Sequence, residues 1–312
     1  MGFLLGIFVR TLVAILQALP LDFVARFGRS AGSIAWALDA RHRRVALENL
    51  QRALGTECSP VELREIAREN FRRIGENYAT AVKTAAMTDA ELAQRIDVSG
   101  FDAAVPKDGT LSVVALGHFG NFEVFARLRP FARGRQLATT YRSIRPPALD
   151  AALQQLRRQS GILFFERTRD GGQLRSALNK GDVVLGLLSD QHAGNRGLWL
   201  PFFGHPCSTT AAPAIYALRF QARLAVGICF RTRLAHWRLE FSEPIPTRSP
   251  DGSPRAAEEI MLDVNRHLES AIRRDPANWF WVHRRWKAPS RQQSAASVPT
   301  PAEDEPDSGA AA

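Results

Sequence analysis

Lysine is nearly missing from this basic chain. Of its 41 Lys and Arg residues only Lys83, Lys107, Lys180 and Lys287 are lysine, and the rest are arginine. Cysteine is scarce too: Cys58, Cys207 and Cys229 are odd in number and form no CxxC pair, so neither a disulfide framework nor a structural zinc site is expected. That usage fits a reducing compartment. No HExxH, Walker A or GxGxxG pattern occurs, which removes zincins, P-loop enzymes and the plainest nucleotide binders. A long hydrophobic run is also lacking. Arg10 splits the apolar N-terminus, and the longest uncharged stretch after it, Thr11–Leu21, falls short of the ~20 residues that cross a bilayer. Met1–Val9 carries no basic side chain and no cleavage site follows, so this is not read as a signal peptide.

What is present is core-forming material. The 312 residues are 45% hydrophobic and 9% aromatic, enough for one large domain or two small ones. The formal net charge is +10, and residues 288–312 hold one Arg against four acids, so the excess belongs to the body of the chain. A GC-rich coding bias would produce such arginine use. So would an anionic partner: nucleic acid, a membrane surface, or a phosphorylated or acidic substrate.

Residues 1–30 read as a membrane-anchoring or interfacial helix. Gly6, Arg10 and Gln17 form a narrow polar stripe, while Phe3, Leu4, Ile7, Phe8, Leu12, Ile15, Leu16 and Leu19 cover the remainder. Arg10 would then reach toward lipid head groups. A short apolar helix buried in the core is the alternative, and a full span stays open. Residues 31–287 read as one unit, helical over 31–100 and α/β over 101–287. In its helical part Leu63, Ile66, Phe71, Ile74, Tyr78 and Val82 recur at three- and four-residue spacings. In its second part the segments 110–116, 136–141, 162–165, 183–189, 224–230 and 237–241 read as short buried strands. Apolar stripes at Leu149, Leu153, Leu156 and at Ile260, Val264, Leu268, Ile272 mark helices between and after them. The fold class is α/β, a mixed sheet flanked by helices. Residues 288–312, poor in large apolar side chains and rich in Ala, Ser, Pro, Asp and Glu, read as a disordered tail.

Three segments carry chemistry. In LSVVALGHFGNFEVFA, residues 111–126, a strand opens through Gly117-His118 and Gly120-Asn121 into what reads as a helix start. Strand ends of this kind hold the reactive groups of α/β sheets. His118 is the one side chain near this turn able to act as a base at neutral pH, and Glu123 can fold back to fix its tautomer. The glycines leave backbone N–H groups free for an oxyanion. A histidine simply satisfied at a strand end fits the same residues. The second segment, from Ser189, runs through Asp190-Gln191 and a polar loop to the aromatic-proline patch Trp199, Pro201, Phe202, Phe203. The patch suits a groove for a greasy substrate, or ordinary core packing. The third, WFWVHRRWK at Trp279–Lys287, can grip phosphate at an interface or be a solvated chain end. Gly28-Arg29-Ser30-Ala31-Gly32 matches the GxSxG nucleophile elbow, but no strand precedes it. Small residues for helix packing at a membrane explain it better.

In order along the chain stand RHRRVALENLQRAL, HFGNFE, Tyr141-Arg142, FFER, DQHAG, PFFGHP with TT, and WVHRRWK. As an ordered set over about Met1–Lys287 they resemble the bacterial late acyltransferases of lipid A biosynthesis, in the glycerolipid/lysophospholipid acyltransferase superfamily. The resemblance implies a glycerolipid-acyltransferase-like fold. It implies an enzyme that moves a fatty acyl group from acyl carrier protein, or from acyl-CoA, to a hydroxyl of a lipid A precursor or another membrane lipid. His118 and Glu123 would be the catalytic dyad of its HxxxxD/E motif. Arg167, and behind it Arg142, would hold acceptor phosphate or developing charge. Asp190 and Gln191 would be structural or acceptor-positioning, and Gly120 and Asn121 would lie against substrate. The same resemblance implies the cytoplasmic face of a bacterial inner membrane and needs no cofactor or metal. Lysophospholipid, phosphatidylinositol mannoside or another glycolipid are alternative acceptors. A basic membrane adaptor without catalysis is the non-enzymatic alternative. Nucleic acid is not expected, since the arginines are scattered and no stacking sheet accompanies them.

Overall fold

The computed structural model describes residues 2–132 and 134–288, so the tail proposed for 288–312 lies outside the described residues apart from Ala288. The chain opens with a helical layer: α1 (Gly2–Ala18), α2 (Leu21–Leu38), α3 (Ala40–Leu54), α4 (Pro60–Thr84) and the short α5 (Asp89–Ala93). Local sequence explains the boundaries. Pro20 separates the first two helices, the Asp39 side chain caps α3 through the His42 N–H, and Ser59 with Glu62 forms a reciprocal capping box ahead of α4, with Pro60 in its first turn. The α/β part follows as β1 (Ile96–Ser99), α6 (Phe101–Ala104), β2 (Ser112–Leu116), β3 (Gln136–Tyr141), α7 (Pro147–Arg158), β4 (Leu163–Glu166), α8 (Gly171–Asn179) and β5 (Val183–Leu188). It ends with β6 (Leu198–Phe202), β7 (His205–Thr209), α9 (Ala212–Arg219), β8 (Arg223–Arg233), β9 (His236–Phe241) and α10 (Ala257–Arg274).

Seven strands form one mixed sheet in the order β1-β9-β8-β2-β5-β3-β4. All neighbours pair parallel except the β8–β9 hairpin. The six expected strands are all there, within a few residues at their ends. The sequence reading missed β1, which lies inside the segment taken as helical, and the β6–β7 hairpin, which was taken as loop. β2 is buried at every residue, as a central parallel strand should be. Its alternation divides the core: Val113 and Ala115 pack toward α9, α10, α3 and α4, while Val114 and Leu116 pack toward α6 and the 122–132 segment. The stripe Ile260, Val264, Leu268, Ile272 is the buried face of α10.

The helical layer is clamped by glycines. A Cβ at Gly28 would lie 2.4 Å from the Gly75 carbonyl oxygen, and one at Gly32 would lie 2.2 Å from that of Phe71, so α2 and α4 meet backbone to backbone. The GxSxG residues therefore sit inside a helix and serve its packing on α4. The C-terminal segment Trp279–Lys287 packs into the core, with Arg284 and Lys287 exposed. Trp279, Trp281, Arg285 and Trp286 are buried, and Asn49 and Asn70 donate to the carbonyls of Trp281, His283, Ala277 and Trp279. Aromatic surface was available to bury, and its Arg285 donates to the Ser208 and Gln191 carbonyls and the Thr209 hydroxyl and lies over the Phe202 ring, its Nε having no protein partner among the described residues. Among the described residues no helix is long and apolar enough to cross a membrane.

Candidate active site

Parallel pairing of β2 with β5 sets Leu116 opposite Leu188. Two residues beyond each partner, past the carboxyl ends of the strands, stand His118 and Asp190. The His118 Nδ1 lies 2.6 Å from Asp190 Oδ1, and the His118 backbone N–H donates to Oδ2 at 2.7 Å. Oδ2 also accepts the Trp279 indole N–H at 2.7 Å. Asp190 is 1% exposed. Burial disfavours its charge, but the neighbouring His118 ring and the three donors outweigh that and hold the carboxyl below the usual carboxylate range. An ionised carboxylate on Nδ1 fixes the Nδ1–H tautomer and leaves Nε2 as the proton acceptor.

His118 borders a mostly apolar cavity of about 360 Å³. One wall comes from α4 (Ile74, Tyr78, Ala81), the other from α7 (Leu153, Leu156, Arg157), with Gln191 and Phe280 nearby. A second, narrower cavity of about 80 Å³ continues over the sheet past Val114, Leu116, Val184 and Gly186. The two share Phe122, Glu123, Ala126 and Arg157. A second histidine close by, His283, does not border the cavity. Burial pushes its pKa down to about 4.

Glu123 is in the cavity wall but is not the hydrogen-bond partner of the His118 ring. It opens a 3₁₀ helix, Phe122–Arg127, rather than a longer α-helix, and its carboxylate accepts from Arg157 Nη2 at 2.8 Å. The Phe122 ring stands edge-on to His118 with centroids 4.9 Å apart. The fold-back expected from the HxxxxE spacing is thus replaced by two separate pairs, His118–Asp190 and Glu123–Arg157. Arg157 also lies over the Tyr141 and Phe164 rings, and its Nε is buried without a protein partner among the described residues.

The remaining expected residues divide. Gln191 borders the cavity. Gly120 does too, at φ +57°, but its N–H donates to the Asn278 carbonyl at 2.9 Å and a Cβ there would meet the Cys229 carbonyl at 2.3 Å. Its amide is therefore committed to holding the turn on β8, and is not available to an oxyanion as the sequence suggested. Asn121 is buried and donates to the Thr80 hydroxyl on α4. Arg142 borders a separate open depression with Arg145 and Arg169, which meets the His118 cavity only at Ile144. Arg167 is exposed beyond β4 and borders a different small cavity with Phe165, Leu174 and Tyr216. The structure does not bring Arg142 or Arg167 into the His118 cavity. Sequence reasoning missed Arg157, because the α7 stripe was read only for its leucines. It also missed the contact of Asp190 with the His118 ring, which depends on β5 lying beside β2. Among the described residues no group of three His, Cys, Asp or Glu side chains is arranged to hold a metal ion.

Residues 2–288 match a family model described as bacterial lipid A biosynthesis acyltransferase. The chain is 24% identical over 275 residues to the lipid A biosynthesis palmitoleoyltransferase of Escherichia coli (strain K12), covering 86% of each protein. It is 24% identical, with the same coverage, to a lipid A biosynthesis acyltransferase of Shigella flexneri. It is 25% identical over 301 residues to the lipid A biosynthesis lauroyltransferase of Escherichia coli (strain K12), covering 91% of this chain and 90% of the relative.

Proposed function

The chain belongs to the bacterial lipid A biosynthesis acyltransferase family, and from that premise we propose that it esterifies a hydroxyl of a lipid A precursor with a fatty acyl group carried as a thioester, His118 being the general base. The donor is acyl carrier protein or acyl-CoA, both of which present the acyl group on the same kind of thiol. The observation that carries this reading is the His118 ring at the edge of an apolar cavity with Nδ1 held by buried Asp190.

The chemistry follows from that arrangement. An alcohol is a poor nucleophile at neutral pH, so His118 Nε2 takes its proton as the oxygen attacks the thioester carbonyl. Asp190 stabilises the imidazolium that results. Such a base contributes about 10²–10⁴-fold. The oxyanion lies toward the Arg157 guanidinium, whose orientation Glu123 holds, and a charged donor there contributes on the order of 10²-fold. As the tetrahedral species collapses the C–S bond breaks, and the proton on Nε2 passes to the departing thiolate. The narrow cavity over the sheet takes hydrocarbon, with Gly186 on its floor. Arg142 reaches acceptor phosphate from the adjoining depression, while Arg167 stands too far round the sheet edge to border the same cavity. α1 supplies membrane association, its exposed Ile7, Phe8, Leu12 and Ile15 facing lipid with Arg10 at the edge of that face. Its proposed place is the cytoplasmic face of the inner membrane, the side on which its thioester donors are found.

The test is the mass of lipid A from cells with and without the protein. One acyl chain less in its absence, restored by the wild type and not by His118→Ala, is expected. Unchanged lipid A together with loss of an acyl chain from a phospholipid pool would assign a different acceptor.

A further inference from the structure

We propose that α2 is a second membrane foot, a helix lying flat on an anionic bilayer through a stripe of its own that is separate from α1. Phe23, Phe27, Ile34 and Leu38 are 55%, 51%, 59% and 79% exposed, an unusual state for four large apolar side chains on one helix. Their spacing of four, seven and four residues places them on one face, over about 22 Å at 1.5 Å per residue. The opposite face cannot be turned outward to hide them. Gly28 and Gly32 are locked against the α4 backbone at distances that admit no side chain, and Arg29 is tied to Glu69 and to buried Glu76 beneath. The stripe is therefore held rigidly on the surface.

Charge decides what covers it. Exposed Arg26 flanks the stripe, and exposed Arg41 and Arg44 follow its C-terminal end on α3. The two nearby carboxylates are already engaged, Asp22 with Arg95 and Asp39 with the start of α3. A rim of arginine around an apolar strip, with Arg41 offset in part by Asp39 and Arg44 followed one turn on by Glu48, suits anionic head groups over acyl chains. It disfavours a second copy, which would set the same arginines against one another in a two-fold contact. α4, on which α2 rests, also forms a wall of the His118 cavity, so α2 and α4 are the layer that separates a bilayer on this face from the site. The inference does not depend on the acyl-transfer reading.

The experiment is co-sedimentation of the full chain with phosphatidylcholine liposomes, with and without added phosphatidylglycerol. Changing Phe23, Phe27, Ile34 and Leu38 together to Ser should weaken binding to the anionic liposomes on the order of a hundredfold. Melting temperature should hold, as should activity on detergent-dispersed substrate, because none of the four borders the cavity. Should that variant fold poorly, Arg26, Arg41 and Arg44 changed to Ala leaves the stripe intact and should remove the preference for phosphatidylglycerol. Wild-type binding by the Ser variant, or no response to phosphatidylglycerol in the wild type, overturns the proposal. So does a wild-type dimer that the Ser variant converts to monomer with liposome binding unchanged, since the stripe would then face a second copy. A wild type that binds liposomes through α2 but transfers no acyl group would refute the enzymatic reading and leave this one standing.

Discussion

Asp190 and Glu76 are carboxylates buried to the same degree, 1% and 0% exposed, and they do opposite things. Glu76 on α4 receives Arg29 from α2, Arg231 from β8 and the Ala235 backbone N–H. Its side-chain partners are two guanidiniums, which stay charged, and the three ions close on one another as a joint between the helical layer and the sheet. Asp190 receives an imidazole, an indole and a backbone N–H. One of those partners can gain and lose a proton, and its other nitrogen is left toward a cavity. Burial alone does not mark a reactive carboxylate. What marks one is a titratable partner with an open side.

Breaking the reactive centre should have the largest effect. His118→Ala is expected to lower kcat about 10³-fold with the melting temperature near wild type, measured by turnover and by thermal unfolding. Asp190→Asn keeps the shape but favours the wrong tautomer, and kcat should fall about 10²-fold or more. Glu76→Gln should do the reverse. It leaves Arg231 with a neutral partner, Arg29 keeping Glu69, and should cost about 3 kcal/mol in denaturant unfolding, while kcat per folded molecule stays at the wild-type value. A kcat loss in Glu76→Gln as large as in Asp190→Asn would erase the distinction.

Smaller effects sharpen it. His283 sits near the same carboxylate but is held neutral down to about pH 4 by burial. The unfolded chain protonates this side chain near pH 6.5, so between about 6.5 and 4 the unfolded state binds the extra proton and folding stability drops as the pH is lowered. Below pH 4 both states are protonated and this contribution levels off. The loss should amount to about 2 kcal/mol and shrink in His283→Asn, read from unfolding across that range. Trp279→Phe removes one donor from Asp190 and should lower kcat about fivefold, the worth of a hydrogen bond of about 1 kcal/mol.

The fold was largely legible because its strands are apolar runs and its helices carry clear three- and four-residue stripes. β1 was hidden because IDVS has a mixed pattern inside a helical stretch, and the β6–β7 hairpin because Pro201 and Pro206 read as loop. Within the site, His118 was legible from its place after an apolar strand, and Asp190 was legible as a site residue but not as the partner of the His118 ring. Spacing along the chain pointed to Glu123, five residues away. Pairing across the sheet gives Asp190, 72 residues away, and strand order is not written in any local pattern. Arg157 was invisible for a similar reason: it meets Glu123 only once α7 is laid across the turn.

Which carboxylate holds the His118 ring decides how that ring can act, and its Nδ1 proton reports the partner directly. In a ¹⁵N-histidine-labelled protein, His118 should show a strongly downfield Nδ1–H resonance that survives Glu123→Gln and disappears in Asp190→Asn. A resonance that survives Asp190→Asn and disappears in Glu123→Gln would contradict it.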